Sequence, residues 1–192
     1  MTSVNSSRMS SSIALLACAT SLVLTLGACS SGSETATAAS ACPTAAPEAG
    51  GTPDWTLPGS TGSVSVTGPT DTAAPSIIVE APFSVSETQV HTLHAGDGPV
   101  VADTATASVC YMGVNGRDGA VFDSSYQRGA PVEFPLDGVV SGFQKAIAGQ
   151  TVGSTVAVAM TSADGYPNGQ PAAGILPGDT LVFAIKILGA SS

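Results

Sequence analysis

The chain has 192 residues, only 10% of them charged, and a formal net charge of -9. Its cationic residues are Arg8, Arg117, Arg128, Lys145 and Lys186; they form no basic patch, which excludes nucleic-acid binding, because phosphate recognition needs clustered positive charge. The same acidity gains nothing from anionic lipid, so membrane attachment has to come from something other than surface charge.

At the N-terminus, Arg8 precedes an apolar run over residues 13–28 that is shorter than the ~20 residues needed to span a bilayer. It reads as an export signal. The run ends Leu26-Gly27-Ala28-Cys29, which resembles the lipobox of bacterial lipoproteins, where the Cys after the cleavage point receives a diacylglycerol group. Cys29 is thus the expected lipidation site, with residues 1–28 removed as a signal peptide. Acylation holds a protein at a membrane without a spanning helix. Residues 29–60 are rich in Ser, Ala, Thr, Gly and Pro and show no apolar period, so they are expected to form a flexible, lipidated tether. Trp55 is the exception, and the sequence leaves it either packed on the domain or exposed.

From residue 61 to 192 the chain reads as one domain, with its core at 76–189. Short β runs at 63–67, 76–80 and 89–94 are separated by Gly, Pro and Asp turn signals. Alternation over residues 105–112 predicts a strand with Tyr111 inward and Cys110 outward. Val156, Val158 and Met160 share one strand face, and Leu181, Phe183, Ile185 and Ile187 share another. Only Phe143, Ala146 and Ile147 have helical spacing, between a Ser141 cap and a Gly149 stop. The fold class is therefore α+β: a curved antiparallel sheet with one short helix laid across it.

Several chemistries can be set aside. His91 and His94 are three apart in a predicted strand, so they are expected to face opposite sides at the surface and make a poor metal pair. There is no C-x-x-C, H-E-x-x-H, G-x-S-x-G or phosphate loop. Ser124 and Ser125 lack any later His to activate them. No metal, nucleotide or other cofactor is expected. With Cys18 in the signal and Cys29 lipidated, Cys42 and Cys110 are left in an oxidising compartment; they form a disulfide or remain two free thiols.

The most informative stretch is VFDSSYQRGAPVEF at 121–134, which sets Phe122 beside Asp123 and follows them with a Ser-Ser turn, Arg128 and a return strand. A carboxylate in a run that otherwise points into a core is costly to bury unless paired, and such residues tend to mark sites. Later come VVSGFQKAI at 139–147, a loop around Tyr166, and GILPGDTLVFAIKIL at 174–188. Together, in this order, these segments resemble the FKBP-type peptidyl-prolyl cis-trans isomerases over roughly residues 76–189, a whole domain of that family.

The resemblance implies a half-barrel fold and a pocket that accelerates Xaa-Pro isomerisation. It implies walls formed by Tyr111, Phe122, Phe183, Val139 and Val140, with Phe143 as the floor where many relatives carry Trp. Asp123 accepts hydrogen bonds inside, while the Tyr166 hydroxyl and the Val140 N–H hold the substrate's carbonyls. Arg128 pairs with Asp123 or its neighbouring strand, Val132 stands where an aromatic is common, and Ile175 with Leu176 closes the rim. Tyr166 is followed by Pro167 where family members commonly have Gly. The implied partners are proline-containing exported polypeptides and macrolides of the tacrolimus and rapamycin type. The expected protein is a monomeric isomerase, lipid-anchored on the outer face of the cytoplasmic membrane; the alternative is a binding or holdase module of the same fold with little catalysis.

Overall fold

The computed structural model describes residues 41–47 and 50–191. The expected signal peptide and the lipidation site Cys29 lie outside them. A three-stranded antiparallel sheet comes first, with β1 (Trp55–Pro58), β2 (Thr61–Thr67) and β3 (Ser76–Ser84) in that spatial order. The six-stranded antiparallel sheet contains β4 (Gln89–His94), β5 (Thr106–Asn115), β6 (Val121–Ser124), β7 (Val132–Pro135), β8 (Thr155–Met160) and β9 (Leu181–Ser191). Its spatial order is β4-β8-β9-β5-β6, with β7 pairing the first half of β5. Helix α1 (Ser125–Arg128) joins β6 to β7, and α2 (Ser141–Ile147) precedes β8.

The central strands of the larger sheet are buried on both faces, and the strand sequences show why. Every residue of β8, TVAVAM, is buried. Its large side chains Val156, Val158 and Met160 join Tyr111, Phe183, Ile185 and Ile187 in the main core, against Phe143, Ala146 and Ile147 of α2. Its small ones, Ala157 and Ala159, join Val182 and Ala184 on the opposite face, where Val64, Val66 and Phe83 of the smaller sheet pack. Small residues on that face let the second sheet approach closely, whereas bulky ones on the first fill the space under the helix. The α+β architecture is the one expected.

Several expectations need correction. The ordered structure does not begin at residue 61: β1 pairs residue for residue with β2 from Trp55 to Pro58, and Trp55 stacks on His91 at 5.5 Å. The segment before it is also tied down, by Cys42 N–H to Gly129 O and Ala74 N–H to Ala45 O. A tether composition concealed this because β1 is a four-residue edge strand, where Pro58 is tolerated. His91 and His94 are both exposed, but a register shift between Thr92 and His94 places them opposite Ala157 and Thr155 of β8. They therefore share the face that looks toward β1, with His94 Nε2 3.9 Å from Asp54. α1 is a second helix, one turn long and too short to show a period. Ser141 is not a cap; Val140 occupies that position with extended backbone and no side-chain bond.

Candidate functional site

The chain around Asp123 folds into a single turn for local reasons. The Ser124 Oγ caps α1 by accepting the Gln127 N–H, and Gly129 ends the helix in the left-handed region at φ 71°, which glycine adopts at low cost. The Ser125 Oγ accepts the Tyr111 N–H at 2.8 Å. Ser124 thus starts the helix and Ser125 fastens it to β5, which brings Arg128 back over Asp123. Arg128 Nη1 donates to Asp123 Oδ1 at 2.5 Å and Nη2 to the Tyr111 hydroxyl at 3.0 Å. The Tyr111 hydroxyl donates in turn to Asp123 Oδ2.

This triangle fixes the charge state of the site. Burial pushes the Asp123 carboxyl up, but the hydrogen bonds from Tyr111 and Arg128 outweigh it and hold the group below the usual carboxylate range. Tyr111 is pushed up to about 12, first by burial and then by its bond to the carboxylate. At neutral pH the site therefore holds a carboxylate, a neutral phenol and a guanidinium.

Beside the triangle lies a cavity of about 370 Å3. Tyr111, Phe122, Phe134, Phe143 and Phe183 are its aromatic lining, Gly138, Val139 and Val140 line another part, and Asp123 and Tyr166 supply the polar groups. The rings meet edge to face: Phe143 lies 5.4 Å from Phe183, 5.5 Å from Phe134 and 5.9 Å from Tyr111, and Phe122 lies 5.5 Å from Phe183. Phe143 and Phe183 are each only 5% exposed and form the bottom. The Val140 carbonyl starts α2 by accepting from Phe143 and Gln144, which sets its own peptide at the cavity edge.

Tyr111, Phe122, Asp123, Val139, Val140, Phe143, Tyr166 and Phe183 therefore converge on one cavity. The four residues expected to bind substrate around it do not line it. Arg128 stands behind Asp123 and Tyr111 rather than in the cavity. Val132 lies two residues before Phe134 on the same face of β7, and it is Phe134 that reaches the cavity. Ile175 is 1% exposed and belongs to the core, because its backbone forms a two-bond bridge to Gln170 that turns it inward. Leu176, 51% exposed, points outward, its N–H held by Asp179 Oδ2 at 2.8 Å. Asp179 also accepts from Asn115 at 2.7 Å, a buried bond absent from the sequence reading.

Phe134 was the signal missed, although Val132-Glu133-Phe134 alternates as a strand with one face inward. Gly113 was missed as well: a Cβ there would lie 2.6 Å from the Phe122 ring and 2.7 Å from the Phe183 ring, so the two rings can meet over β5 only because this side chain is absent.

On the other face of β5, a disulfide joins Cys42 to Cys110, with Cα atoms 5.7 Å apart. Cys110 points away from the main core as expected but is only 2% exposed, because Cys42, Ala74 and Tyr126 cover it. Cys42 Sγ also lies 3.4 Å from Ser125 Oγ, so the bridge sits directly behind the Tyr111 wall.

The family model for FKBP-type peptidyl-prolyl cis-trans isomerase matches residues 98–188. The chain is 37% identical over 100 residues to the FKBP-type 22 kDa peptidyl-prolyl cis-trans isomerase of Escherichia coli, covering 52% of this chain and 48% of that protein. It thus spans about half the length of that relative. It is 35% identical to the FK506-binding protein of Streptomyces anulatus, covering 48% of this chain and 77% of that one. Among solved structures, the N-terminal domain of FKBP42 from Arabidopsis thaliana superposes with a TM-score of 0.52 at 15% identity, over 56% of this chain and 88% of that one, a likeness of fold. With the aromatic cavity and its carboxylate formed by the matched residues, the chain belongs to the FKBP-type peptidyl-prolyl cis-trans isomerase family.

Proposed function

We propose that the protein is a peptidyl-prolyl cis-trans isomerase that acts on exported polypeptides while held at the outer face of the cytoplasmic membrane by a lipid on Cys29. The observation that carries the catalytic part is the cavity: six aromatic side chains around about 370 Å3, with one carboxylate held at its edge by Tyr111 and Arg128. Prolyl isomerisation breaks no covalent bond. Its barrier, ~18–20 kcal/mol, comes from amide resonance, and the uncatalysed step takes tens to hundreds of seconds. In the transition state the C–N bond is twisted and the amide less polar, so a cavity that excludes water favours it over the planar ground state. Asp123 offers a fixed negative field beside the twisting amide, and the Val140 N–H and the Tyr166 hydroxyl are the donors for flanking carbonyls. A 10⁴-fold acceleration requires about 5–6 kcal/mol, within reach of desolvation and two or three hydrogen bonds. No proton has to move.

The export and anchoring part rests on the apolar run before Cys29 and on the Leu-Gly-Ala-Cys motif. Macrolide binding at the same cavity is part of the proposal, because the Streptomyces relative is an FK506-binding protein. The test is a protease-coupled or refolding assay on peptides with several residues before proline. The expected result is faster cis/trans relaxation that macrolide inhibits. A folded domain that leaves every peptide at the uncatalysed rate would overturn the enzyme and leave a binding module.

A further inference from the structure

The Tyr166 side of the cavity is attached to the α2 side through one residue that the sequence reading did not single out. Asp164 lies two residues before Tyr166, in the 3-10 turn Ser162–Asp164. Lys145 Nζ donates to both of its carboxylate oxygens at 2.8 Å, Ser141 Oγ to Oδ1 at 2.8 Å, and Thr88 Oγ1 to Oδ2 at 2.6 Å. Four bonds match the roughly four acceptor positions a carboxylate has. Ser141 and Lys145 belong to α2, the helix that starts immediately after Val140 and carries Phe143 to the cavity floor. Thr88 lies just before β4 and uses the same hydroxyl to accept the Thr161 N–H at 3.2 Å. Asp164 therefore joins the loop, the helix and the approach to β4 at a single point.

Beyond the packing of Tyr166 against the main core, the loop has few other attachments. Gly165 and Pro167 flank Tyr166, and no strand runs through residues 161–169. Its other attachments near the tyrosine are the Ser162 hydroxyl donating to Tyr166 O at 3.2 Å, the Gly169 N–H donating to the same carbonyl at 2.9 Å, and two short bonds from the Gly165 N–H back to residues 161 and 162. These shape the loop internally or tie it through Ser162 to Gly178. Apart from a longer bond from Ser141 Oγ to the Asp164 backbone carbonyl at 3.3 Å, the hydrogen bonds that connect it to the helix carrying Phe143 all end on the Asp164 carboxylate.

We propose that Asp164 is a positioning residue for catalysis: its bonds to Lys145, Ser141 and Thr88 set where Tyr166 stands over the cavity, and so how firmly the residues flanking the proline are held. The inference rests on the isomerase reading of the same cavity. Asn in its place keeps the size but puts an amide N–H₂ where one carboxylate oxygen was, so one of the two Lys145 bonds is lost together with the charge attraction to Lys145, and the hydroxyl facing that N–H₂ has to turn from donor to acceptor.

The test is a double-mutant cycle between Asp164→Asn and Tyr166→Ala, read by the isomerisation of a short Xaa-Pro peptide. Because displacements near 1 Å can cost up to 10²-fold, Asp164→Asn alone is expected to lower kcat/KM about tenfold, mainly through KM, with kcat within about twofold. In the Tyr166→Ala background the same change is expected to have less than about a twofold effect. Lys145→Arg should retain activity, while Lys145→Gln should follow Asp164→Asn. Amide exchange over residues 161–173 should speed up in Asp164→Asn, with β8 unchanged. An equal loss in both backgrounds, or exchange unchanged over 161–173, would overturn the proposal. A wild-type protein with no catalysis would instead defeat the isomerase reading, and the exchange measurement would still decide whether Asp164 holds the loop.

Discussion

Gly113 is where a single residue decides whether the cavity exists. It faces Phe183 across β9 and Asp123 across β6, and adding one methyl forces the Phe122 and Phe183 rings aside. Gly113→Ala is therefore expected to cost about 1–3 kcal/mol, the usual penalty of overpacking, but to remove most of the peptide activity. Denaturant midpoints and isomerisation rates on the same sample separate the two effects; an active Gly113→Ala protein would show that the rings are not the catalytic wall. Phe122→Ala is a cleaner probe than Phe183→Ala, because Phe122 is only partly buried whereas truncating a buried Phe commonly costs 3–5 kcal/mol. The ionisable triangle makes a second prediction. Asp123 has a depressed pKa when folded, so its stabilising bonds are present above the unfolded carboxylate value and are lost as pH falls through the folded one. Tyr111 has a raised pKa, so its bond to Asp123 is present below the unfolded phenol value and is lost as pH rises toward about 12. Since no proton transfer is needed, the rate is expected to be flat from about pH 5 to 9, inside both limits. A bell-shaped profile centred in that window would require an acid or base that the mechanism lacks.

Among the elements, those with clear periods were legible and those defined by contacts were not. β5, β8 and β9 follow strict alternation, and α2 shows i, i+3, i+4 spacing, so the main sheet and its helix could be read from residues alone. β1 could not, because Trp55–Pro58 is short and sits in tether-like composition. α1 could not either: one turn has no period, and it forms because Ser124 caps it and Gly129 ends it. The site divides the same way. Phe122, Asp123, Phe143 and Phe183 lie in the motifs that carry the resemblance, and Tyr111 in a strand whose alternation turns it inward, whereas Gly113 contributes by lacking a side chain and Asp164 by bonds to residues distant in sequence, neither of which leaves a local pattern. The Cys42–Cys110 bridge is the element-scale feature with the largest expected effect on stability. It closes a sequence separation of 68 residues and fastens the segment around Cys42 over α1 and β5. On the chain-entropy account this is worth on the order of 4 kcal/mol. Replacing both Cys42 and Cys110 with Ala is expected to lower the unfolding free energy by about that amount. The effect should extend to the site, since the bridge lies against Ser125, which holds the Tyr111 N–H. A denaturation curve within about 1 kcal/mol of wild type would show that the segment is held by packing alone.

For the whole molecule, the distribution of charge decides how it can meet a membrane. Every Lys and Arg among the described residues is committed to a protein partner: Arg117 to Asp118 and Asp179, Arg128 to Asp123, Lys145 to Asp164, and Lys186 to the Gly153 carbonyl. The remaining carboxylates leave a surface that anionic lipid repels. Among the described residues no helix is long and apolar enough to cross a membrane. On the proposed reading, attachment is covalent and made at Cys29, which Leu26, Gly27 and Ala28 precede. Two experiments on the full chain separate this from adsorption. Electrostatic adsorption is screened at high ionic strength, where the Debye length falls to about 3 Å in 1 M salt. A lipid anchor resists such a wash, because burying acyl chains contributes about 0.8 kcal/mol per methylene regardless of salt. The wild-type protein is expected to remain in the membrane fraction through a 1 M salt wash and to leave it with detergent. Cys29→Ala is expected to appear as an unprocessed precursor or in the soluble fraction, with the isomerase activity of the released domain unchanged, since Cys29 lies outside the segments that build the cavity. If Cys29→Ala protein were instead processed and retained like wild type, the anchor would have to be sought elsewhere in the chain.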